Sequence, residues 1–235
     1  MPTGPLIAAK LPDLPRWVEV RDLLLSEEGE ISGFQEEPRL SFVLRETDGD
    51  SLFVIGAPAA ATVRAEVQGL GRGGQVIAPS EAAPWLIQIL SGWTFSRIVI
   101  HTLRDAPCVP PGAVRFLDPR TLDRLPIDPE LLEELRRGAS HSPIAAAFVD
   151  QQPVSFCYAG AETESLWDIA IDTLPEHRRR GHAAQCAAHM IRHMQAQGKQ
   201  PVWQAVETNP ASWRLAHKLG FGPIDELTLF TRPAQ

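Results

Sequence analysis

A helix of small residues begins directly after three arginines and a glycine, and this junction constrains the fold more than any other feature of the sequence. The stretch "TLPEHRRRGHAAQCAAHMIRHM" covers residues 173–194. Pro175 ends the strand before it, and Gly198 is the stop signal of a helix that we place at about 180–197. Because positive charge at a helix N-terminus opposes the helix dipole, a solvated helix end explains the arginines poorly. The junction therefore predicts a strand, a turn and a helix in which the turn has a function.

The turn has the features of a binding site for a small anion. The first four N–H groups of a helix have no partner within it, and the helix dipole adds about half a positive charge at that end. A phosphate accepts those N–H groups where small residues let the backbone come close. Gly181 and Ala183 are such residues at the start of the helix, and Arg178 lies three positions before the glycine. The pattern favours a pyrophosphate over a nucleic-acid duplex.

The composition agrees with a local anion site rather than with a basic surface. The chain has 235 residues, a formal net charge of −7 and a pI of about 5.5, whereas a general nucleic-acid binder carries a basic face. No apolar run approaches the ~20 residues needed to cross a bilayer, and the N-terminus lacks a secretory signal pattern. The three cysteines have no metal-type spacing, which indicates reduced thiols. We expect a cytoplasmic protein that binds neither nucleic acid nor membrane.

The second half of the chain has the clearest secondary-structure pattern. Its predicted elements are a helix from Asp128 that stops at Gly138, an antiparallel pair "IAAAFVD" and "VSFCYAG", the strand "SLWDIAIDTL", the alanine-rich helix, the strand "QPVWQAVET", a helix beginning at Asn209 and the strand "ELTLFTR". In "SLWDIAIDTL" the side chains alternate, with Trp167, Ile169, Ile171 and Thr173 on one face and Asp168, Ala170 and Asp172 on the other.

A proline-rich segment separates this half from the first. The segment "RDAPCVPPGAVRFLDPR", residues 104–120, holds four of the 21 prolines and interrupts any regular pattern, which is typical of a linker. We therefore expect an N-terminal α/β domain at 1–106, a linker at 107–120 and a second domain at 121–235.

The first half resembles the second in the order of its elements. It predicts the strand "SLFVIGAP", the helix "AAATVRAEVQGL", the strand "QVIAP", the helix "EAAPWLIQILSGW" and the strand "TFSRIVIHTL". The helix "EAAPWLIQILSGW" aligns without a gap with "NPASWRLAHKLGF", placing Trp85 on Trp213, Gly92 on Gly220 and Trp93 on Phe221. Either an ancient duplication or chance explains this alignment. If the halves are related, the first has lost the anion site, because "APAAATVR" replaces the glycine-bearing turn.

Two segments of the second half together resemble a known family. The pattern Arg178-x-x-Gly181-x-Ala183, after a strand that ends in Thr173-x-Pro175, resembles the acyl-CoA signature of the GNAT N-acetyltransferase superfamily. The later "NPASWRLAHKLGF" resembles that superfamily's asparagine and following helix, which closes on Leu-Gly-Phe. The resemblance covers about residues 115–235. It implies an α+β fold with a mixed, mostly antiparallel sheet flanked by helices, and the first half would be a degenerate copy if duplicated.

The resemblance also implies how the donor, acetyl-CoA, is bound. Backbone amides of residues 179–184 would hold the pyrophosphate, and the strand end at 171–174 would splay from its neighbour and bind the pantetheine arm. An N–H group there would stabilise the thioester oxygen in the transition state. The residues implied in binding acetyl-CoA are Ile171, Asp172, Thr173, Leu174, Arg178, Arg179, Arg180, Gly181, His182, Ala183, Ala184, Asn209 and Ser212.

The implied reaction is direct attack of a neutral primary amine on the acetyl carbonyl. An alkyl amine with a pKa of about 10 is mostly protonated at neutral pH, so the reaction needs a base or a water relay. Asp168, Asp172 and Glu207 are the candidate bases. Asp168 lies within one residue of the position where many family members have an acidic base, but a shift of one residue reverses the face of a strand.

The proton donor to the CoA thiolate departs from the family pattern. Many members have a tyrosine four residues before the glycine of Leu-Gly-Phe, and here Ala216 occupies that position. The only tyrosine of the chain, Tyr158, lies in another strand. Ser212, His217 or a water would substitute, or the thiolate would leave unassisted.

Other conspicuous residues have both a structural and a functional interpretation. His189 and His193 have a spacing that can bind a metal, but no third ligand accompanies them, so we expect a polar helix face and no metal. The tryptophans Trp167, Trp203 and Trp213 would be core residues or line a pocket. Cys157 and Cys186 would be small core residues.

The sequence thus predicts an acetyl-CoA-dependent N-acetyltransferase that acts on a primary amine of a small molecule or peptide. The N-terminal half would cover one side of the acceptor cleft or form a contact in a homodimer. One alternative is a non-catalytic acyl-CoA-binding sensor or regulatory module, which Ala216 favours. A nucleotide-phosphate-binding protein unrelated to CoA and a donor with a longer acyl chain are further alternatives.

Overall fold

The computed structural model describes residues 3–47, 49–110 and 112–233, which form an α+β fold. The helices of these ranges are α1 (Gly4–Ala8), α2 (Val18–Leu25), α3 (Ala60–Gln68), α4 (Ala83–Ile89), α5 (Pro129–His141), α6 (His182–Ala196) and α7 (Pro210–Lys218). The strands are β1 (Gly29–Gln35), β2 (Ser41–Glu46), β3 (Ser51–Ile55), β4 (Gln75–Pro79), β5 (Thr94–Leu103), β6 (Val114–Phe116), β7 (Ala145–Val149), β8 (Gln152–Glu162), β9 (Leu166–Thr173), β10 (Gln200–Val206) and β11 (Phe221–Thr231). Within the described ranges, no helix is both long and apolar enough to span a membrane.

The chain divides into two compact units that do not follow the order of the sequence. The first unit comprises the described residues of 1–100, 204–210 and 223–235, and the second comprises those of 101–203 and 211–222. The end of the last strand therefore belongs to the same unit as the N-terminal residues.

The first unit is built on a sheet in which β1, β2, β3 and β4 follow one another and β11 lies beside β4. Strand β2 pairs antiparallel with β1 and β3, whereas β3 pairs parallel with β4 over residues 51–53 and 75–77. Residues 227–231 of β11 pair antiparallel with β4. Val63 of α3 and Leu86 of α4 pack against the strands in one buried cluster. The five predicted elements from β3 to β5 are confirmed.

The first 50 residues contain α1, α2, β1 and β2, none of which is predicted from the sequence. Helix α2 carries an arginine, Arg21, on its buried side, which obscures its apolar pattern. The Arg21 guanidinium donates hydrogen bonds to the carbonyls of Ala8 and Leu11, at and beyond the end of α1. These bonds compensate the cost of burying the Arg21 charge. Arg21 is therefore part of the core, although an arginine in the sequence predicts an exposed position.

In the second unit the strands lie in the order β10, β9, β8, β7, β6. Strand β9 pairs parallel with β10, and the pairs β8/β9, β7/β8 and β6/β7 are antiparallel. The mixed, mostly antiparallel sheet flanked by helices that the sequence predicts is thus confirmed. Leu135 of α5 packs with Phe156 and Tyr158 on one face of β8. Cys157, between them, faces Cys186 of α6 on the other side of the sheet.

The predicted stop of α5 at Gly138 is wrong, because the helix continues to His141. A side chain at Gly138 would place its Cβ 2.4 Å from Cδ2 of Tyr158. The glycine therefore lets the helix pass over the tyrosine ring instead of ending the helix.

Other boundaries also differ from the prediction. Helix α6 begins at His182 rather than at about residue 180, because Arg179 and Gly181 have φ of 62° and 88°, outside the helical range. Strand β11 begins at Phe221, directly after α7. The segment 104–120 is not irregular throughout, because it contains β6, which pairs with β7; Pro111 lies outside the described residues.

Candidate functional site

The arginine turn, residues 178–181, leads from β9 into α6. Pro175–His177 forms one turn of 3-10 helix after the strand. Arg179 then adopts a left-handed conformation, and so does Gly181, the N-cap of α6. The first helical hydrogen bond joins the N–H of Gln185 to the carbonyl of Gly181 at 3.2 Å. The N–H groups before Gln185 at the start of the helix have no partner within it.

The N-terminus of α6 is open to an anion. Among the described residues, no side chain caps the helix, and its first turn contains no acidic residue. Apart from its chain neighbours, a Cβ added at Gly181 would have none of the described heavy atoms within 4 Å. A glycine is favoured here because the backbone has a φ of 88°, not because a side chain would clash with a neighbouring group. The space above the turn is therefore free for the approach of a ligand.

The surroundings of the turn are positively charged. Arg179 and Arg180 are exposed, and Nε of Arg178 donates a 3.0 Å hydrogen bond to the carbonyl of Thr173, which ties the turn to the strand end. Partial burial lowers the pKa of His182, and the positive charges of His177 and Arg180 lower it further. An anion at this position would meet both the helix N–H groups and these charges.

Strand β9 loses its partner on one side before it reaches the turn. Its parallel register with β10 covers only residues 166–168 and 200–202. On the other side, the register with β8 continues to Thr173. The main-chain groups of residues 169–173 that face β10 therefore lie outside this parallel ladder. The predicted residues Ile171, Asp172, Thr173 and Leu174 all lie in or next to this stretch.

The other face of the sheet carries a carboxyl–tyrosine cluster of Glu134, Tyr158 and Asp172. The antiparallel register places Phe156 opposite Asp172 and Tyr158 opposite Ala170, so these side chains share the face covered by α5. The side chains of Tyr158, Asp172 and Glu134 are near enough to shift one another's pKa values.

Burial is the largest cause of the pKa shifts in this cluster. Burial raises the pKa of Asp172, while the Tyr158 hydrogen bond and the charge of Arg178 lower it to a smaller extent. The pKa of Glu134 is raised by burial and by the charge of Asp172. The pKa of Tyr158 is raised by burial and by both carboxylates, so the phenol stays neutral. The pKa of Asp172 is thus raised, in contrast to that of Glu207, which is lowered.

The other two predicted bases have different surroundings. Glu207 belongs to the first unit, where its carboxylate accepts hydrogen bonds from the backbone N–H of Arg97 at 2.9 Å and from its Nε at 3.0 Å. These bonds lower the pKa of Glu207, which makes it a weaker base. Asp168 shares the strand face of Asp172 and lies opposite Ala161, where the β8–β9 register shifts.

Helix α7 contains Ser212 and His217, two of the predicted alternatives for the proton donor. The indole Nε1 of the buried Trp203 donates a 2.9 Å hydrogen bond to Oγ of Ser212. Ala216 is fully buried. The N–H of Asn209 donates to the carbonyl of Val206 at 2.8 Å in the first unit, directly before α7.

Two of the tryptophans and two histidines of α6 make packing contacts. Trp167 and Trp203 are core residues with 0% and 1% exposure. The ring of Phe116 contacts the rings of His189 and His193 edge-on, with centroids 4.9 and 4.7 Å apart. Within the described part of the chain, no three metal-ligating side chains are arranged to hold a metal ion.

Glu134 and Tyr158 are the site residues that the sequence analysis missed. Each lies in an element that was predicted, but neither belongs to a recognised motif. The antiparallel register of β8 and β9, which a single sequence does not give, places Tyr158 on the same face as Asp172, and Glu134 lies in α5, which packs on that face.

Comparison with known proteins agrees with this geometry. Residues 139–230 match the family model of the GNAT acetyltransferase. No curated protein sequence gives a significant match. A GCN5-related N-acetyltransferase-like protein from Streptococcus suis has a similar structure, with a TM-score of 0.68 at 17% identity over 96% of this chain and 95% of that one. A GCN5-related N-acetyltransferase from Kribbella flavida has a TM-score of 0.62 at 16% identity over 100% and 97%.

A third similar structure consists of two related parts. It is a tandem GNAT protein from the clavulanic acid biosynthesis pathway, solved without AcCoA, with a TM-score of 0.54 at 10% identity over 86% of this chain and 81% of that one. At these identities the likenesses show the fold, and the family model places the match in the C-terminal part. The predicted resemblance of the C-terminal half to the GNAT superfamily is confirmed by the match of residues 139–230 to the GNAT acetyltransferase family model.

Proposed function

We propose that the protein is a cytoplasmic acetyl-CoA-dependent N-acetyltransferase that acts on a primary amine of a small molecule or peptide. The observation that carries the proposal is the open, uncapped N-terminus of α6 behind the arginine turn, within a GNAT domain. The family match supports transferase activity, and the positive surroundings of the turn support a pyrophosphate-containing donor.

The donor would lie along the strand end and the turn. The N–H groups at the start of α6 would bind the pyrophosphate, with Arg179 and Arg180 at its rim. The main-chain groups of 169–173 outside the β10 ladder would pair with the pantetheine arm, and one N–H there would stabilise the oxygen of the tetrahedral intermediate. The family resemblance implies these roles, and we assign them to the residues of this chain.

Asp172 is our candidate for the base that accepts a proton from the acceptor amine. Its raised pKa brings its protonation nearer to neutral pH, where proton transfer is most effective. Ser212 is our candidate for the group that protonates the departing thiolate, because the hydrogen bond from Trp203 fixes the position of its hydroxyl oxygen in α7.

We also propose that the first half is a degenerate copy of the second. Strand pairs β3/β4 and β9/β10 are both parallel, and Gly92 and Gly220 both have a positive φ after the corresponding helices. The existence of a tandem GNAT protein with a similar structure supports a duplication. The sequence domains 1–106 and 121–235 would then be the ancestral halves, although 223–235 now belong to the first compact unit.

Titration calorimetry with acetyl-CoA tests the proposal. Gly181→Glu should abolish binding, because a long anionic side chain would enter the space above the turn. Gly181→Ala is the matched control, since it imposes the same positive φ on a side chain without the added size and charge. Wild-type binding that survives in the alanine variant and is lost in the glutamate variant supports the site.

Release of CoA with a set of amines then separates the two functions. Turnover with any amine supports an acetyltransferase. Binding without turnover supports the alternative, a non-catalytic acyl-CoA-binding sensor, which the burial of Ala216 at the usual tyrosine position favours. If neither acetyl-CoA nor CoA binds, both functions fail.

A further inference from the structure

We propose that Ser155 is a positioning residue for the acyl donor, because its buried hydroxyl holds the peptide unit between Asp172 and Thr173 so that the N–H of Thr173 faces a carbonyl oxygen of bound acyl-CoA. The inference rests on the proposed function. It adds a residue of β8, which lies outside both segments that carry the family resemblance, to the end of β9.

The hydroxyl of Ser155 makes two hydrogen bonds at the end of β9. Ser155 is 0% exposed, and its Oγ donates to the carbonyl of Asp172 at 3.0 Å. The same Oγ lies 2.8 Å from Oγ1 of Thr173, the residue directly opposite in the β8–β9 register. A serine hydroxyl has one proton to donate. Since that proton goes to the carbonyl, the hydroxyl of Thr173 is the donor in the second bond.

The register of β8 with β9 determines the direction of the main-chain groups at Thr173. The N–H of Leu174 donates to the carbonyl of Val154 at 3.0 Å, so the main-chain groups of Leu174 face β8. In an extended strand these groups alternate between the two sides from one residue to the next. Those of Thr173 therefore face the other side, where the ladder with β10 has ended at residue 168.

The bond from Ser155 acts on the N–H of Thr173 through the peptide unit. The carbonyl of Asp172 and the N–H of Thr173 belong to one planar group, so a fixed oxygen also fixes the direction of the N–H. A carbonyl that accepts a hydrogen bond polarises its peptide unit, which strengthens the N–H as a donor. Ser155 therefore both orients and strengthens the N–H of Thr173.

Arg178 determines which main-chain group of Thr173 is offered to a ligand. Nε of Arg178 donates to the carbonyl of Thr173 at 3.0 Å. Because a cation already engages this oxygen, Thr173 offers a ligand its N–H more readily than its carbonyl. An N–H binds an acceptor, and the carbonyl oxygens of an acyl-CoA near its acyl end are the thioester oxygen and the amide oxygens of the pantetheine arm. The partner is therefore a carbonyl oxygen of the donor.

The main chain of Ser155 is itself held by α6. Sγ of Cys186 donates a 3.4 Å hydrogen bond to the carbonyl of Ser155. Cys186 lies four residues after His182, and so about one turn into the helix that follows the arginine turn. Ser155 thus bonds to β9 through its hydroxyl and to α6 through its carbonyl, so the strand end and the start of the helix share one buried support.

The peptide unit can be observed directly, because Asp-Thr occurs once in the sequence. Protein labelled with ¹³C at the carbonyl of aspartate and with ¹⁵N in threonine gives one correlated signal, that of Asp172 and Thr173. In Ser155→Ala the carbonyl carbon should move to a lower chemical shift, because the carbonyl has lost a hydrogen bond. A carbonyl signal that is the same in Ser155→Ala and in the wild type would overturn the inference.

The same signal reports on the ligand and does not require turnover. Added acyl-CoA should move the proton of the Thr173 N–H to a higher chemical shift, because a hydrogen bond forms. A shift with both CoA and acetyl-CoA identifies a pantetheine oxygen, and a shift with acetyl-CoA alone identifies the thioester oxygen. No shift with either ligand, in a protein that binds acetyl-CoA by calorimetry, would overturn the inference and leave the proposed function intact. If neither ligand binds, the proposed function fails and the inference fails with it.

The kinetics of Ser155→Ala separate the two oxygens in a second way. If the N–H meets the thioester oxygen, kcat should fall about tenfold at an unchanged KM for acetyl-CoA, since the bond then strengthens in the transition state. This loss is smaller than the roughly 100-fold loss on removing an oxyanion donor, because the N–H itself remains. If the N–H meets a pantetheine oxygen, the KM for acetyl-CoA should rise about tenfold at an unchanged kcat.

Two further variants separate positioning from packing. Ser155→Thr keeps the hydroxyl and should recover most of the lost function, so a threonine variant as impaired as the alanine variant would assign the loss to packing. Ser142→Ala removes another buried hydroxyl of the second unit, which accepts a 3.1 Å hydrogen bond from the N–H of Ala159. It should lower the free energy of unfolding but leave kcat and KM unchanged. Equal kinetic losses in Ser142→Ala and Ser155→Ala, or wild-type kinetics in Ser155→Ala, would overturn the inference.

Discussion

Two segments of this chain share the order strand, turn and helix, but they differ in the charge of the turn and in the space around its glycine. In the first unit, β3 leads through Gly56 to α3, and in the second, β9 leads through Gly181 to α6. Both glycines have a positive φ, of 67° and 88°, and among the described residues neither helix has a side-chain cap or an acidic first turn. The dipole and the free N–H groups are therefore common to both.

The difference lies in the space above the glycine and in the charge of the turn. A Cβ at Gly56 would lie 2.4 Å from the carbonyl oxygen of Leu40, whereas one at Gly181 would meet nothing within 4 Å. The turn before α3 reads "APAAAT" and has no arginine, while three arginines precede Gly181. A free helix N-terminus is thus a common feature of the fold, and open space with positive charge is what distinguishes a ligand site.

The largest expected effect is on stability and concerns a matched pair of substitutions. Gly56→Ala should lower the free energy of unfolding by about 3 kcal/mol, because it combines a left-handed residue with a backbone clash. Gly181→Ala has only the conformational cost of about 1 kcal/mol. Denaturant unfolding of both variants measures the difference. Equal losses would show that the two turns do not differ in packing.

In a binding experiment, Gly181→Ala should have the larger effect of the two substitutions. Gly56→Ala should leave the affinity of the folded protein for acetyl-CoA unchanged. Gly181→Ala should weaken it without abolishing it, because the pyrophosphate would lie against that backbone. Loss of affinity in the Gly56→Ala protein at a temperature where it is fully folded would contradict the distinction drawn between the turns.

The next effect concerns the charges of the arginine turn. Replacing Arg179 and Arg180 together by glutamine should weaken acetyl-CoA binding about tenfold and reduce its dependence on salt, since charge-assisted hydrogen bonds to phosphate would be lost. Calorimetry at two salt concentrations measures both changes. Arg64→Gln, at an exposed position of α3, is the matched control and should have no effect. An equal loss from both replacements would indicate a general charge effect.

The contrast between the turns also explains what the sequence could predict. The arginine turn depends on neighbouring residues, a strand end, a glycine and an amphipathic helix, so local patterns are sufficient to find it. The order of elements from β3 to β5 and from α5 to β11 follows from the same local periodicities. The exact start of α6 was missed because Arg179, a non-glycine residue, adopts a left-handed conformation there.

Features that depend on distant residues were not predicted. Strand β1 contains Gly29 and Gly33 and has no clear alternation, so its place in the sheet depends on pairing with β2. The carboxyl–tyrosine cluster depends on the register of β8 with β9 and on the space that Gly138 of α5 leaves for the ring of Tyr158. The position of Gly138 inside a helix could not be expected from local patterns, because a glycine near a polar stretch usually marks a helix end.

The smallest expected effect is a pH dependence that only the second turn should have. The pKa of His182 is lowered by burial and by the charges of His177 and Arg180, so the ligand-free fold disfavours its protonation. This residue should therefore reduce stability as the pH falls below the ordinary histidine pKa of about 6.5. A bound pyrophosphate should reverse the sign, because it favours the protonated imidazole.

Thermal unfolding from about pH 5 to 7.5, with and without acetyl-CoA, tests this sign change against a His182→Asn variant. In the wild type, the affinity for acetyl-CoA should increase about two- to threefold towards low pH, and acetyl-CoA should therefore stabilise the fold more. The increase is small because solvent and salt screen a partly exposed charge. The variant should lose this increase and keep the rest of the binding. An increase of the same size in His182→Asn would assign the titration to His177 or to the phosphate groups. Because the turn before α3 has no histidine, a pH-dependent affinity that follows His182 would mark the second turn as the one that holds the anion.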